Sequence, residues 1–438
     1  MPSIITNHMR IVNSETFAKR IALQPTYLFI GKNTAWADEE LPDTPFETDK
    51  EKVELFKNIL AYKRVQSSEI NSVVPRINWA ANTIYDFYDS RINMIDARKP
   101  SGAKYQFYVL TDEFNVYKCL SNNNGAFSTV KPTSQQITDF QTPDGYVWKY
   151  MYTIRSVDVF NYMTPDWIPI YTIEANDGSA QWQVQQAAVD GAIHNVVITN
   201  AGTGYNPLSP PVVTIVGDGT GAQANVEIDP ITGAIKKVNV TNIGSGYTTA
   251  SIQLTNVGGG VSAILTPIIA PAGGHGKDAR VELGGVYKMI KMSLGGTEGG
   301  AFPEGTFRQS GLIFKPLSTE LGSKITLAST NGFNADDTIT GGTTGATGRI
   351  RLVDSNDRIL WIDNVVGDFI QNETITNQDS FESTIQHVEN ETNIVLTEAV
   401  APASSVVSKS GELMYISNRE PITRIESQTE DLRFIISF

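Results

Sequence analysis

A 42-residue internal repeat constrains this 438-residue chain more than any other feature of its sequence. Residues 191–205 and 233–247 share the pattern Gly-Ala-Ile-x-x-Val-x-(Ile/Val)-Thr-Asn-x-Gly-x-Gly-Tyr, and each copy continues into an alternating strand and a glycine cluster. β-Branched residues separated by glycine-rich turns are typical of short strands. Because two copies are fewer than a free solenoid needs, the repeat predicts a compact two-unit β domain.

A second repeat, with a period of 36 residues, lies further along the chain. Phe333-x-x-x-Asp-Thr-Ile-Thr is matched by Phe369-x-x-x-Glu-Thr-Ile-Thr, and strand-like stretches lie between the two copies. This pattern predicts a second small β domain.

Helix signals are concentrated near the amino terminus. Ser14 is a candidate N-cap for a helix that continues to Ala22, and Thr48 with Glu51 forms a capping box. The apolar stripe behind Thr48 predicts a helix that ends near Arg64.

Most of the remaining chain has strand-like patterns. The runs 105–111, 115–120, 145–152 and 281–294 are rich in aromatic and β-branched residues. Trp148 is predicted to lie in a core, and Cys119 is predicted to be a buried, inert thiol. Residues 413–416 and 432–438 predict two final strands, and the terminal Phe438 is expected to be packed.

These patterns together predict a mainly β fold with an α+β body. The body is expected to be discontinuous, with a few N-terminal helices, and to be interrupted by two small all-β inserted domains. The predicted body segments are 1–175, 276–320 and 398–438. The predicted inserts are 176–275, with the 42-residue repeat, and 321–397, with the 36-residue repeat.

Composition argues against several classes of protein. A net charge of −13 disfavours nucleic-acid binding through phosphate neutralisation. A single cysteine and four scattered histidines provide no recognisable metal motif, so neither a metal nor a cofactor is expected. The sequence has no apolar run of membrane-spanning length and no secretory leader pattern, so we expect a protein made in the cytoplasm without a membrane partner.

The glycine-rich stretches of the chain match known binding motifs only in part. The stretch 273–278 resembles a phosphate loop, but its first glycine position is Pro271 and Asp278 replaces the hydroxyl residue, so a hinge is favoured. The stretch 217–221 is interpreted as a hairpin turn. Tyr205 and Tyr247 are interpreted as turn anchors, with stacking on sugar rings as the alternative. No nucleophile can be paired with a base, so a non-enzymatic protein is expected.

Four separated, colinear segments give the sequence a family resemblance. The segments are residues 74–79, 144–150, 307–317 and 410–438. Together they resemble the baseplate wedge protein gene product eight family of T-even-type contractile-tailed bacteriophages, whose members also end on Phe. The family-motif residues, which the resemblance assigns to structure and interfaces, are Pro75, Arg76, Trp79, Gly145, Tyr146, Trp148, Phe307, Arg308, Gln309, Gly411, Glu412, Tyr415, Asn418, Arg419, Pro421, Gln428, Thr429 and Glu430.

The resemblance implies a structural virion protein of the tail baseplate, assembled in the host cytoplasm. It implies a homodimer that bridges neighbouring wedge proteins and fibre-attachment proteins. Both repeat regions look absent from the family's type member, so the family's dimer packing cannot be carried over unchanged. The alternative function is a carbohydrate- or receptor-binding tail component, which the Gly-Tyr repeats suggest.

Overall fold

The computed structural model describes residues 4–438 and contains five α-helices and 25 strands among them. The helices are α1 (Asn7–Leu23), α2 (Asp49–Asn58), α3 (Ser156–Tyr162), α4 (Ala180–Gln186) and α5 (Ala279–Leu283). The strands are β1 (Thr26–Gly31), β2 (Ile59–Arg64), β3 (Ile70–Pro75), β4 (Tyr108–Leu110), β5 (Asn115–Ser121), β6 (Phe140–Gln141), β7 (Val147–Thr153), β8 (Trp167–Ile170), β9 (Ile193–Asn200), β10 (Val212–Gly217), β11 (Thr220–Ile228), β12 (Ile235–Ser245), β13 (Ala250–Thr255), β14 (Ile264–Ile269), β15 (Tyr287–Gly295), β16 (Gly305–Phe314), β17 (Leu317–Leu327), β18 (Thr338–Gly341), β19 (Thr347–Asp354), β20 (Ile359–Val366), β21 (Thr374–Asn377), β22 (Glu382–Val395), β23 (Val400–Pro402), β24 (Glu412–Arg424) and β25 (Thr429–Ser437). The predicted mainly β fold is confirmed.

The chain forms two compact units. Unit 1 contains the described residues up to Ser14, together with Asn71–Met289 and Ile435–Phe438, and unit 2 contains Glu15–Ile70 and Ile290–Phe434. The predicted division into three body segments and two inserted domains stays a prediction.

Unit 1 is built on an aromatic sheet with the strand order β4–β5–β7–β6. Both faces of β7 are covered, and Trp148 and Tyr152 have no exposed surface. Cys119 on β5 is buried, as predicted. The amide of Phe438 donates to the carbonyl of Val286, and the Phe438 side chain is partly buried.

The 42-residue repeat of unit 1 forms three two-stranded sheets, β9–β14, β10–β13 and β11–β12. The two copies interlock, because the amide of Tyr205 donates to Gly233 O at 2.9 Å and the amide of Tyr247 donates to Gly191 O at 3.2 Å. The ring of Tyr247 packs directly against the backbone of Gly219. A side chain at this position would clash, because an added Cβ would lie 2.4 Å from the ring. The repeat therefore encodes a reciprocal packing of its two halves.

Unit 2 contains a five-stranded sheet and a closed barrel. The sheet order is β23–β2–β1–β16–β24, and its central strand β1 is fully buried. The barrel order is β17–β20–β19–β18–β21–β22, and it encloses its own apolar core, including Phe333 and Phe369. The two phenylalanines that mark the 36-residue repeat are thus equivalent core positions.

The second repeat also places two acidic residues, Asp337 and Glu373, at equivalent positions where each accepts several hydrogen bonds. Asp337 accepts hydrogen bonds from Asn334 N and the side chains of Asn377 and Gln378. Glu373, its counterpart, accepts from Ile370 N and from Thr344. Both carboxylates fix the turns that lead into the barrel strands, so they have a structural role in this geometry.

Two helix predictions need correction. Ser14 is not an N-cap: α1 begins at Asn7, and the Ser14 hydroxyl donates to Ile11 O inside the helix. Thr48 caps α2, as predicted, by accepting from Glu51 N. However, α2 ends at Asn58, because residues 59–64 form β2 between β1 and β23, and tertiary pairing overrides the helical pattern.

Two strand predictions also differ from the structure. Residues 281–294 do not form one strand, since α5 ends at Leu283 and β15 begins at Tyr287. Residues 217–221 do not close a hairpin: β10 pairs with β13, and β11 pairs with β12. The Asp218 carboxylate instead accepts hydrogen bonds from Thr248 N and Thr249 N, which ties this turn to the second Gly-Tyr segment.

None of the described helices has the length and apolar character that a membrane crossing requires.

Candidate functional site

The first two family-motif segments share one aromatic core in unit 1. Trp148 stacks on Tyr146 with a centroid distance of 5.4 Å, and Tyr85 meets Trp148 edge-on at 6.0 Å. Tyr85 also donates its hydroxyl to Asn78 O and accepts from Ala80 N at 2.6 Å. Tyr85 therefore connects residues 74–79 with residues 144–150, a role that its isolated position in the sequence does not indicate.

The remaining motif residues of unit 1 fix backbone in the same region. Arg76 donates to Thr164 O, Trp79 Nε1 donates to Ser128 Oγ, and the Tyr146 hydroxyl donates to Ala126 O. Pro75 ends β3, and Gly145 occupies the turn before β7.

The last two motif segments pair as β16 and β24 in unit 2. Phe307 lies opposite Ile422, and Gln309 lies opposite Asn418. The Gln309 amide donates to Asn418 Oδ1 at 2.7 Å, and Arg419 Nε donates to Ser310 Oγ at 2.8 Å. Segments that are about a hundred residues apart in sequence are therefore joined by both backbone and side-chain hydrogen bonds.

Other motif residues of unit 2 support this pair of strands. Arg308 contacts the Glu39 carboxylate at 2.8 Å, and Arg419 and Tyr415 both pack against Phe434. The remaining motif residues are Gly411, Glu412, Pro421, Gln428, Thr429 and Glu430. Pro421 lies within β24, and the others lie at or next to the start of β24 or of β25. Glu430 accepts from Arg424 Nε, and Gln428 O accepts from Gly296 N.

Unit 1 also contains a buried cluster of ionisable side chains, which we call the inner cluster: Lys118, Glu282, His275, His194 and Asp139. Lys118 Nζ lies 2.7 Å from Glu282 Oε2, with 0% and 2% of the two side chains exposed. His275 Nδ1 lies 3.7 Å from the same carboxylate oxygen, and its ring meets that of His194 at 5.1 Å. His194 Nδ1 in turn lies 3.4 Å from Asp139 Oδ1.

Burial and charge set the protonation of this cluster. Burial lowers the pKa of His275 well below its usual value, and the nearby positive charges of Lys118, His194 and Lys149 lower it further. Burial also lowers the pKa of Lys118, although Glu282 opposes that shift. For Asp139, burial would raise the pKa, but the neighbouring His194 outweighs it and holds the carboxyl below its ordinary range.

The glycine-rich stretch 273–278 supplies part of this cluster. His275 is only 3% exposed, and the amide of Gly276 donates to Glu282 Oε1 at 2.8 Å. Asp278 caps α5 by accepting from the amides of Arg280 and Val281. The stretch thus aligns α5 so that Glu282 reaches Lys118, and its predicted role as a hinge stays a prediction.

The outer end of the inner cluster opens into a cleft of about 290 Å³, which we call the junction cleft. One wall comes from the turn after β5, which contains Asn123, and from β6 with the residue before it, which contribute Gln141 and Asp139. The other wall comes from β9 and β12 of the repeat. Ser121 and His194 both line the cleft.

Sequence reasoning missed both the inner cluster and the junction cleft. His194 and His275 are 81 positions apart and carry no ligand-like spacing, so only the pairing of β9 with β14 indicates their proximity. Across the described part of the chain, no group of three or more His, Cys, Asp and Glu side chains is arranged to hold a metal ion.

No protein-family model matches this chain, and no curated protein matches it.

Proposed function

We propose that this chain is a structural subunit of the tail baseplate wedge of a contractile-tailed phage. In this role it is a virion protein, assembled in the host cytoplasm as a homodimer that bridges neighbouring wedge proteins and contacts fibre-attachment proteins.

The observation that carries the proposal is the pairing of β16 with β24. The third and fourth family-like segments contribute these strands, and the Gln309–Asn418 and Ser310–Arg419 hydrogen bonds join them. The first two segments likewise share the aromatic core around Trp148. The residues that carry the family resemblance are thus in contact with one another within each pair of segments. These contacts support the proposal that the segments belong to a scaffold shared with the family.

The character of the two units suits a subunit of a permanent assembly. Their motif residues are used in packing and backbone hydrogen bonds, and exposed apolar side chains such as Leu208 and Ile231 extend from the repeat at 94% and 93% exposure. Permanent protein interfaces often bury more than about 2,000 Å² and centre on such apolar contacts. We expect these loop tips to be covered by a neighbouring wedge subunit.

Light scattering on the purified chain tests the homodimer. A single species of about twice 47.9 kDa is expected. A monodisperse monomer at all accessible concentrations would contradict symmetric pairing.

Location in the particle tests the assignment more directly. Antibody against this chain should label the tail baseplate of the intact virion in electron micrographs. Label on the capsid or along the sheath, with none on the baseplate, would refute the proposal.

A further inference from the structure

The junction cleft has the composition of a recognition site for a neutral polar ligand. Asp139 and Lys237 line the cleft with charges of opposite sign, so these two charges cancel. Five amide side chains line it alongside apolar surface from Phe140 and four valines. Pockets that fix a ligand's orientation usually combine apolar walls with a few convergent polar groups.

The amides present acceptors at fixed positions. Gln141 Nε2 donates to Gly145 O at 3.2 Å, and Asn239 Nδ2 donates to Glu227 Oε1 at 2.7 Å. Because each amide nitrogen is held by the protein, the carbonyl oxygen on the other side of each amide is available to accept from a ligand hydroxyl. Asp139, whose side chain is 27% exposed, adds carboxylate oxygens that accept hydroxyl donors and disfavour a bound anion.

A buried polar atom also marks the base of the cleft. The His194 side chain is 7% exposed, and its buried Nδ1 has no hydrogen-bond partner among the described residues, although Asp139 lies 3.4 Å away. Phe140 is held edge-on by Tyr117 at 5.9 Å, which fixes the aromatic wall.

We propose that the junction cleft binds an uncharged saccharide. Hydroxyl groups would donate to the amide carbonyls and to Asp139, Lys237 would donate to a ring or hydroxyl oxygen, and the C–H face of a sugar would pack on Phe140. A volume of about 290 Å³ equals roughly ten water molecules, which accommodates one pyranose ring.

The ligand extends beyond one ring. A neighbouring cleft of about 430 Å³ shares Ser121, Asn124 and Asn195 with the junction cleft. Asn124 Nδ2 donates to Lys236 O at 3.1 Å, which joins the turn after β5 to the repeat where the two clefts meet. A short oligosaccharide can therefore continue from one cleft to the other. This assignment differs from sugar stacking on Tyr205 and Tyr247, whose rings are both 4% exposed.

The test uses the full chain and a panel of neutral trisaccharides of glucose, galactose and N-acetylglucosamine, with sialyl-lactose as the charged comparison. Saturation-transfer NMR followed by titration calorimetry is expected to show binding of at least one neutral sugar. Gln141→Leu and Asn239→Leu should each weaken that binding about fivefold or more.

Gln253→Leu is the matched control, because Gln253 is an exposed amide on β13 of the same repeat and lies outside the cleft. It should leave affinity unchanged, and all three variants should keep the wild-type melting temperature within a few degrees. The proposal is overturned if no neutral sugar binds at 10-millimolar order concentrations, if only sialyl-lactose binds, or if the two cleft variants bind as well as Gln253→Leu. None of these results bears on the location of the chain in the virion, so the baseplate proposal is tested separately.

Discussion

At the scale of single residues, His275 links the stability of unit 1 to pH. Its pKa is depressed in the folded chain by burial and by Lys118, Lys149 and His194, whereas Asp139 partly opposes the shift. An unfolded chain therefore binds a proton at His275 below about pH 6.5 that the folded chain excludes. The stability present at pH 7 is consequently lost as the pH falls through that value.

We expect wild-type protein to lose about 1 kcal/mol more than His275→Gln when the pH is lowered from 7 to 5.5, as measured by urea unfolding. His387→Gln is the control, because the His387 side chain is 63% exposed, and this variant should follow the wild type. Equal pH dependence in wild type and His275→Gln would show that His275 binds its proton equally in the folded and unfolded chains, which would contradict the depressed pKa.

The Lys118–Glu282 pair predicts a second effect at this scale. Glu282→Gln keeps an acceptor for the amide of Gly276 but leaves the Lys118 ammonium buried without an anion. Removal of one partner of a buried pair costs about 3–5 kcal/mol, so a loss of that size is expected in urea unfolding. The double variant Lys118→Met with Glu282→Gln should recover much of it.

A matched surface pair separates this effect from a general charge effect. Lys50 and Glu54 lie 4.0 Å apart with 85% and 59% of their side chains exposed, so Glu54→Gln should change stability by less than about 0.5 kcal/mol. If Glu282→Gln behaved like Glu54→Gln, the inner cluster would have to be hydrated.

At the scale of secondary-structure elements, β7 is the strand on which the aromatic core depends. Trp148→Ala should cost about 3–5 kcal/mol, because the indole is fully buried between Tyr146 and Tyr85. Trp148→Phe should cost much less, since the indole Nε1 is buried without a hydrogen-bond partner and its removal relieves that penalty. Phe127→Ala, at a side chain that is 59% exposed, is the control in urea unfolding. A loss below about 1 kcal/mol for Trp148→Ala would place this strand outside the core.

Helices and strands were predictable from the sequence where the local residue pattern favours the same structure as the tertiary contacts do. The aromatic pattern of β7 and the Thr48 cap of α2 both predicted what the structure shows. The end of α2 was not predictable, because residues 59–64 have a helical apolar stripe but are drawn into the sheet by β1 and β23. The inner cluster was hidden for a related reason. Its members lie on β5, β9 and α5 and in the loops that precede β6 and α5, and no local pattern in the sequence connects them.

At the scale of the whole molecule, the order of elements suggests that the barrel of unit 2 is separable. The start of its first strand, β17, lies next to the end of its last strand, β22. Leu317 pairs with Val395, and the amide of Leu396 donates to Pro316 O at 2.8 Å. The barrel has its own closed hydrogen-bonded wall and its own apolar core. Insertion at neighbouring chain ends leaves the host able to fold without the insert.

We therefore expect a variant with residues 322–392 replaced by an Asn-Gly turn to remain folded and to keep the oligomeric state of the full chain. Leu321 and Asn393 pair across the strands, so a two-residue turn can close the shortened ladder. The shortened chain should lose some free energy of unfolding for two reasons. The Lys315–Asp354 ion pair is lost, and the apolar side chain of Ile394 is no longer packed against Trp361. Light scattering should show the same number of chains per particle as for the full-length protein, each lighter by the mass of the excised segment. Near-ultraviolet circular dichroism should still show packed aromatic residues.

The excised barrel provides the complementary measurement. Residues 316–396 expressed alone should unfold cooperatively in urea, because eleven buried apolar residues form a core that draws on no residue outside the segment. If the shortened chain aggregates or loses its near-ultraviolet signal while the isolated barrel folds, the remainder of unit 2 depends on the barrel for its stability. The 36-residue repeat would then be part of the scaffold of this protein and not an addition to it.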